Sequence, residues 1–309
     1  MKIYKNIDKF QAKDPVVTIG TFDGVHKGHD KIIGRLKEIA EKTGGETVVL
    51  TFWPHPRIVL RPERNDLKLL NTPEEKSNLL ERKGIDHLII YPFTKDFSKM
   101  SSYDFTKNVL FDHIGVRHLV FGYDHQFGHN KEGKFDNLKN FSEEMGFKIE
   151  KIEAFSYRNK NISSTEIRNA LLEGDIERSN DYLGYDYCMN GIVISGGKLG
   201  RQIGFPTANI SVPEKYKLIP ANGVYAIKAI TDGKEFKGML NIGVRPTVDN
   251  KNRDMSIEAH IFDFNENIYN KNITIIFKQK IREEKKFDNI GLLKEQLEKD
   301  KQKALKILE

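Results

Sequence analysis

Apolar residues in the first 185 positions alternate between short continuous runs and stripes at helical spacing. The continuous runs, which are typical of strands covered on both faces, lie at 16–19, 47–52, 87–91, 118–121 and 147–152. The helical stripes lie at 30–42, from Pro73 onward and at 102–114. Thr72, Pro73 and Glu75 also form the capping-box pattern that begins a helix. This alternation predicts an α/β domain with a doubly wound parallel sheet.

From about residue 190 the pattern changes to short strands separated by turn residues. The predicted strands lie at 192–195, 223–231, 234–242, 256–264 and 272–277. Asp232-Gly233 predicts a tight hairpin turn, and the apolar spacing at 288–308 predicts a terminal helix. The second half is therefore expected to be all-β, a small antiparallel barrel with a terminal helix. The change of pattern at 184–190 predicts two domains, 1–186 and 187–309.

Composition narrows the class of protein. The chain has 309 residues, 38% of them hydrophobic, which is ordinary globular composition. Its net charge of +6 is spread over interleaved lysines and glutamates, so a nucleic-acid partner is not expected, whereas anionic small molecules are favoured. The one cysteine, Cys188, suits a reducing compartment. No apolar run approaches the roughly 18 residues that span a membrane, so we expect a cytoplasmic protein without a membrane partner. The sequence leaves a homo-oligomer open.

The first chemical motif, T-I-G-T-F-D-G-V-H-K-G-H at 18–29, follows a predicted strand and precedes a helix that we expect to begin near His29. Phosphates bind at such helix N-termini, because free N–H groups and the helix dipole favour anions. His26 and His29 offer further hydrogen-bond donors, and Gly28 permits close backbone approach. The spacing differs from dinucleotide-binding and P-loop patterns, so those interpretations lose their main support.

A second motif, I-S-S-T-E-I-R at 162–168, begins another helix. Ser163 and Glu166 form a capping-box pattern, which an ordinary helix cap would also explain. Alternatively, Ser164, Thr165 and Arg168 surround an anion with hydroxyls, N–H groups and a guanidinium.

The second half carries its own candidate chemistry. Gly196, Gly197 and Gly200 make a flexible loop of the kind that presents N–H groups to phosphates, although glycines also mark ordinary turns. Thr207 and Asn209 point the same way on an extended segment, where their oxygens suit Mg²⁺; a Pro-Thr turn with an Asn cap is the alternative. Glu258 lies in an otherwise apolar strand, where it is either functional or solvent-facing.

Together these motifs resemble a known enzyme family. T-F-D-G-V-H-K-G-H and I-S-S-T-E-I-R resemble the nucleotidyltransferase superfamily, whose domain is Rossmann-like. W-P-H-P at 53–56, F-G-Y-D-H-Q-F-G at 121–128 and L-G-Y-D-Y at 183–187 resemble the bacterial bifunctional riboflavin kinase/FAD synthetase. Independently, G-K-L-G-R-Q-I-G-F-P-T-A-N-I at 197–210 is similar to the flavokinase signature. The resemblance covers nearly the whole chain and implies ATP-dependent phosphorylation of riboflavin to FMN, then adenylylation of FMN to FAD.

For the first domain, the resemblance implies a catalytic role for His26 and His29. The implied ATP-binding residues are Gly20, Phe22, His26, Gly28, His29, Ser164, Thr165 and Arg168. Asp124 and Phe127 match the flavin pocket. Trp53 stands where many relatives carry an acidic residue, so this part of the pocket wall differs here.

For the second domain, the resemblance implies that Glu258 accepts the proton of the riboflavin 5′-hydroxyl. The implied ATP-binding residues are Gly196, Gly197, Lys198, Gly200, Thr207 and Asn209, with Thr207 and Asn209 also holding Mg²⁺. Arg282 and Phe287 match a segment near the flavin, although a charged approach to a helix would explain them as well. The alternative functions are a single nucleotidyltransferase with a vestigial barrel, and a flavin- or RNA-binding regulator.

Overall fold

The computed structural model describes residues 1–63, 67–122, 135–153, 156–157, 160–196, 200, 203–245 and 254–309. They form two compact units, Met1–Ser164 and Thr165–Glu309. Within the described residues, no helix has both the length and the apolar character needed to cross a bilayer.

The first unit is built on a parallel sheet. Its strands are β1 (Lys2–Tyr4), β2 (Val16–Ile19), β3 (Thr47–Trp53), β4 (His87–Pro92), β5 (His118–Gly122), β6 (Lys148–Ile152), and the short pair β7 (Ser156–Tyr157) and β8 (Lys160–Asn161). Strands β1 to β6 pair in the order β1-β4-β3-β2-β5-β6, and every neighbouring pair is parallel. The predicted α/β class and parallel sheet are confirmed. The edge strand β1 was not predicted, because three partly exposed residues carry too little pattern.

Helices cover both faces of this sheet. They are α1 (Lys27–Thr43), α2 (Pro56–Leu60), α3 (Pro73–Arg82), α4 (Ser102–Asp104), which continues into a π-helical stretch (Phe105–His113), and α5 (Phe135–Met145). On one face Val16, Val49 and Val120 pack against α1 and α3; on the other, Val17, Val48 and Leu119 pack against Val109 and Leu138. Successive strand residues therefore enter different cores, as a doubly wound sheet requires.

Two helix starts test the capping predictions. Thr72 and Glu75 form the predicted capping box, with Thr72 Oγ1 accepting from the Glu75 N–H at 3.1 Å and Glu75 Oε2 accepting from the Thr72 N–H at 2.9 Å. Helix α1, predicted to begin near His29, begins two residues earlier at Lys27, and His26 is its N-cap residue. The side chain of His29 accepts a hydrogen bond from the His26 N–H, which extends the helix start by two residues.

The second unit is a closed antiparallel barrel with helices. Its elements are α6 (Ser164–Glu173, beginning at the last residue of the first unit), α7 (Ile176–Leu183), β9 (Cys188–Ile194), β10 (Ala208–Ser211), β11 (Gly223–Thr231), β12 (Lys234–Arg245), β13 (Asp254–Ile261), β14 (Asn272–Arg282) and α8 (Ile290–Ile307). The barrel order is β10-β13-β12-β11-β14-β9. The predicted barrel and terminal helix are confirmed, although β13 ends at Ile261 rather than at residue 264.

Side-chain alternation explains how the barrel is closed and covered. Tyr225, Ile227 and Ala229 alternate along β11 and are fully buried. The hairpin at Asp232-Gly233 has positive φ at both turn residues, 50° and 75°, as a type I′ turn requires. A separate apolar cluster joins Ala226 and Met239 of the sheet to Ala304 and Leu308 at the end of α8.

Helices α6 and α7 pack on the barrel. The Ala221 N–H donates to Leu171 O at 3.0 Å, and Asn180 Nδ2 donates to Phe277 O at 3.0 Å. Asn180 Oδ1 also accepts from the Tyr187 N–H at 2.8 Å. From Thr165 onward, the helix pair that carries the end of the I-S-S-T-E-I-R motif is therefore structurally part of the barrel unit.

Candidate functional sites

The first candidate site lies where the sheet reverses its direction of growth. From β2 the chain adds β3 and β4 on one side, where β1 forms the edge, and then β5 and β6 on the other. Ligands of open α/β sheets bind beyond the carboxyl ends of strands at such a switch point. The predicted motif follows β2 at this place and leads into the N-terminus of α1.

The two histidines of the motif form a stacked pair. The rings of His26 and His29 lie 3.8 Å apart between centroids and are inclined by 20°. The His26 N–H donates to His29 Nδ1 at 3.2 Å. Because Nδ1 of His29 is an acceptor, the neutral ring carries its proton on Nε2. The structure therefore leaves His29 with one N–H to offer, at Nε2.

The environment of His29 keeps its ring uncharged. Burial lowers its pKa well below the usual value of 6.5, and the positive charges of His26, Lys76 and Lys83 lower this pKa further. A neutral imidazole at a helix N-terminus still donates a hydrogen bond to an anion, while the helix and nearby ammonium groups provide the positive potential.

Two glycines make room for these rings. A Cβ on Gly28 would lie 3.0 Å from Cε1 of His26, so glycine lets that ring lie against the first turn of α1. A Cβ on Gly20 would lie 2.9 Å from Cε2 of Phe22. The Phe22 ring is buried, and its centroid lies 4.7 Å from that of the His29 ring, against which it packs.

Asp23 ties the loop to its surroundings. Its carboxylate accepts from the N–H groups of Leu70, at 2.9 Å, and Asn71, at 3.3 Å. Its carbonyl oxygen accepts from Ser164 Oγ at 2.8 Å. The structure thus brings Ser164, the first residue of α6, to the histidine-bearing loop. Thr165 and Arg168 follow on α6 in the second unit, and their proposed place beside the phosphates stays a prediction.

Some predicted residues lie outside the described part of the chain. These are Asp124 and Phe127 of the predicted flavin pocket, and Gly197 and Lys198 of the barrel loop. Trp53, which departs from the family pattern, is the last residue of β3 and lies at the carboxyl edge of the sheet. His55 follows it and accepts from the Arg57 N–H at 3.1 Å, so that side chain caps α2.

The second candidate site lies on the barrel, where three predicted residues come together. Asn209 of β10 is directly opposite Glu258 of β13. Thr207 Oγ1 donates to Glu258 Oε2 at 3.3 Å. Side chains of opposite residues in an antiparallel pair share a face, so hydroxyl, carboxamide and carboxylate oxygens cluster here. Thr207 and Asn209 also lie on one face, as their spacing predicted.

The glycines that precede this cluster are packed against it. A Cβ on Gly196 would lie 2.0 Å from Nδ2 of Asn209. A Cβ on Gly200 would lie 2.3 Å from the carbonyl oxygen of Phe205 and 3.4 Å from Oγ1 of Thr207. A side chain at 200 would therefore collide with the backbone at Phe205, and one at 196 would displace the Asn209 carboxamide.

Sequence reasoning missed two further features of this site. Asn241 of β12 is opposite Glu258 on its other side, so the glutamate is flanked by two carboxamides. A cavity of about 550 Å³ adjoins Thr207 and is lined on its far side by residues 264–269. Strand register and loop shape place these residues, and neither can be read from spacing along one segment. The asparagines at 265 and 267 were the available signal, and they look like ordinary turn residues.

Arg282 and Phe287, which the resemblance places near the flavin, lie close together. The Arg282 guanidinium carbon is 5.7 Å from the centre of the Phe287 ring. Arg282 is the last residue of β14 rather than part of an approach to a helix. Its guanidinium forms an ion pair with the buried Asp300 of α8.

Comparison with known proteins identifies both units. The sequence model of the FAD synthetase family matches residues 8–166, and that of the riboflavin kinase family matches residues 183–308. A Bacillus subtilis protein named bifunctional riboflavin kinase/FMN adenylyltransferase is 41% identical over 97% of this chain and 94% of its own length. A Listeria monocytogenes protein of the same name is 40% identical over 96% of this chain and 93% of its own. A Streptococcus pneumoniae crystal structure, described as a macrolide-efflux protein, has a TM-score of 0.89 and 29% identity over 97% of both chains.

Proposed function

Because the chain belongs to the bifunctional riboflavin kinase/FMN adenylyltransferase family, we propose that His26 and His29 mark one of its catalytic sites and Glu258 the other. The protein phosphorylates riboflavin with ATP to give FMN, and adenylylates FMN with a second ATP to give FAD and pyrophosphate. What remains to be assigned is which residues carry out each step. A single activity with a vestigial barrel, or a regulator, does not fit a chain that matches both enzyme families.

The stacked pair of His26 and His29 carries the first assignment. In adenylylation, an FMN phosphate oxygen bonds to the α-phosphorus of ATP, and the bond from that phosphorus to the bridging oxygen of the β-phosphate breaks. Negative charge moves onto the leaving pyrophosphate. Nε2–H of His29 donates to a phosphate oxygen there, at the positive end of the α1 dipole, and such a preorganised donor stabilises the transition state. Ser164, Thr165 and Arg168 supply further donors, and Asp124 and Phe127 hold the flavin.

The contact between Thr207 and Glu258 carries the second assignment. One carboxylate oxygen of Glu258 accepts from Thr207, which orients the carboxylate. The other Glu258 oxygen takes the proton from the riboflavin 5′-hydroxyl. The riboflavin 5′-oxygen then bonds to the γ-phosphorus of ATP, and the bond from that phosphorus to the β-phosphate oxygen breaks to release ADP. Gly196, Gly197, Lys198 and Gly200 hold the phosphates, Arg282 and Phe287 hold the flavin, and the cavity beside Thr207 accepts the rest of the nucleotide.

The donor set on the barrel fits Mg²⁺. No three His, Cys, Asp or Glu side chains gather into a metal-binding group within the described part of the chain. Mg²⁺ nevertheless keeps several waters and needs few protein oxygens when a nucleotide supplies the rest. The Thr207 hydroxyl and the Asn209 carboxamide oxygen would hold it, and the bound ion would neutralise charge on the ATP phosphates. Asn209→Leu should raise the Mg²⁺ concentration needed for half-maximal kinase activity without changing the requirement for adenylylation.

Paired substitutions test both assignments in one chain. His29→Ala should lower FMN adenylylation by about 100-fold or more, because an oxyanion-type donor is lost. Glu258→Gln should lower riboflavin phosphorylation by about 10² to 10⁴, because the proton acceptor is lost. Each variant should keep the other activity. The matched controls are His113→Ala and Glu235→Gln, both at exposed positions away from the two sites. Equal loss of both activities in either catalytic variant would overturn the two-site assignment.

Two broader expectations also belong to this proposal. The activities should be separable near residue 186, which places the domains at 1–186 and 187–309. The protein should act in the cytoplasm, which cell fractionation with activity assays would test; the single cysteine supports a reducing compartment.

A further inference from the structure

A buried lysine lies directly under the histidine-bearing loop. Lys76 stands in the first turns of α3 and is only 7% exposed. Its Nζ donates to Thr21 O at 2.6 Å and to Thr51 Oγ1 at 3.4 Å. Thr51 Oγ1 itself donates to Thr21 O at 3.2 Å. Lys76 therefore connects α3 to the loop after β2 and to strand β3.

The loop that Lys76 contacts has an unfavourable backbone shape. Phe22 and Val25 have positive φ values of 46° and 38°, in the left-handed region that side chains with a Cβ rarely adopt. Such residues persist only where surrounding contacts fix them. The contacts that fix this loop include those of the Asp23 carboxylate with Leu70 and Asn71, that of Ser164 with the Asp23 carbonyl, and that of Lys76 with Thr21. Lys76 contacts the carbonyl immediately before Phe22.

A short chain of contacts leads from this carbonyl to His29. Phe22 follows Thr21, and its ring lies 4.7 Å from the ring of His29. His29 is held from its other side by the ring and N–H of His26. A shift of the Thr21 carbonyl therefore moves the Phe22 ring, against which the His29 ring packs.

We propose that Lys76 is a positioning residue for FMN adenylylation, whose buried ammonium fixes residues 21–25 and thereby holds His29 in place against the phosphates. This inference rests on the proposed role of His29. The ammonium also adds positive charge beneath the phosphate site. Burial lowers the pKa of Lys76 to about 8 while Asp23 opposes the lowering, so most molecules keep the charge at pH 7. The charged or titratable groups that interact with Lys76 and His29 are Asp23, His26 and Lys83.

The decisive variant is Lys76→Met, which keeps the length of the side chain and removes its charge and donors. The kcat of FMN adenylylation should fall by about 100-fold, because a displaced catalytic group costs roughly that much. Riboflavin phosphorylation in the same chain should stay within twofold of the parent. The control is Lys42→Met, at an exposed position in the last turn of α1; it should leave both activities unchanged.

A second readout separates positioning from general damage to the unit: kcat should fall while the KM values for FMN and ATP change little, because a displaced catalytic group acts in the transition state and substrate binding is kept. NMR titration of His29 should show its pKa rising toward 6.5 in Lys76→Met, because one of the neighbouring positive charges is gone. Thr51→Val serves if Lys76→Met does not fold, since it removes one acceptor of Lys76 and keeps the ammonium. We expect a loss of several-fold in adenylylation kcat from Thr51→Val.

The outcomes distinguish this inference from the proposal on which it rests. If His29→Ala abolishes adenylylation while folded Lys76→Met keeps the kcat of the parent, the role of Lys76 is wrong. Parental kcat in Thr51→Val overturns that role too if Lys76→Met does not fold. If His29→Ala has no effect, the site itself is misplaced.

Discussion

Arg282 and Asp300 form a buried ion pair that ties the last strand of the barrel to the terminal helix. Arg282 Nε lies 2.9 Å and Nη2 2.8 Å from Oδ2 of Asp300, and Gln296 Nε2 donates to Oδ1 at 2.9 Å. Asp300 is fully buried. The same guanidinium lies against Phe287, so the pair also fixes the two residues assigned to the flavin.

Asp300→Ala should destabilise the barrel unit by about 3–5 kcal/mol, because it leaves a largely buried guanidinium without its partner. Thermal unfolding followed by circular dichroism measures the loss. At a temperature where the variant is folded, its KM for riboflavin should also rise. Glu298→Ala, at an exposed position on the same helix, is the control. A melting temperature for Asp300→Ala equal to that of Glu298→Ala would contradict the importance of the pair.

Gly28→Ala should lower FMN adenylylation about tenfold or more, because the new Cβ would displace the His26 ring. Gly34→Ala is the matched control, since it lies in the same helix and a Cβ there has no neighbour within 4 Å. Both changes gain helix propensity, by up to about 1 kcal/mol. Steady-state assays should therefore separate them. Equal activity in the two variants would show that the position of the His26 ring does not matter.

The ligand-free first unit should lose stability as the pH falls below 6.5. The pKa of His29 is depressed in the folded state, so below 6.5 the unfolded chain takes up a proton that the folded chain does not. Between pH 6.5 and 5.5 the contribution lost is up to about 1 kcal/mol, because the unfolded histidine is already half protonated at pH 6.5. Urea unfolding followed by the fluorescence of Trp53, the single tryptophan, reports on this unit.

His29→Gln should show a smaller loss than the parent over this pH range. His113→Gln, which replaces an exposed histidine, should behave as the parent. The prediction fails if His29→Gln and the parent lose the same free energy of unfolding.

Residues 165–309 should be more stable than residues 188–309 when each is made alone. The longer piece keeps Leu171, Tyr182 and Leu183 buried, together with both hydrogen bonds of Asn180 to the barrel chain. Both pieces should convert riboflavin to FMN when folded. Melting temperatures measure the difference, and equal values would mean that α6 and α7 add nothing to the barrel.

Two N-terminal pieces test where the adenylylation site ends along the chain. Residues 1–186 should adenylylate supplied FMN, whereas residues 1–164 should not, because they lack Thr165 and Arg168. Activity in the shorter piece would remove these two residues from the site.

Local signals predicted most of the fold. Thr72 with Glu75, and Asp232 with Gly233, determine structure within four residues, and both appear as expected. The start of α1 was misplaced because histidine is not a usual N-cap residue. Strand β1 was missed because its pairing with β4 joins residues more than 80 positions apart.

The residues of the candidate sites also fall into two groups, those that local spacing pairs and those that only long-range packing brings together. Thr207 and Asn209 could be paired from their spacing, and His26 with His29 from theirs. Asn241 meets Glu258 only through the register of two strands. Lys76 looked like a surface residue of a charged helix, and only packing shows that its ammonium is buried beneath the loop. Contacts of long sequence separation have no local pattern, so sequence reasoning missed them.

The packing of α6 and α7 on the barrel constrains how such a chain can be recombined. All but the ends of these helices lie between the two family matches, which end at residue 166 and begin at residue 183. An exchange of genes that joined a foreign kinase at residue 183 would leave the helix pair facing a barrel with which it had not evolved. An exchange at residue 165 would instead bring foreign residues to positions 165 and 168. Neither junction is neutral, so the two activities are expected to be inherited together.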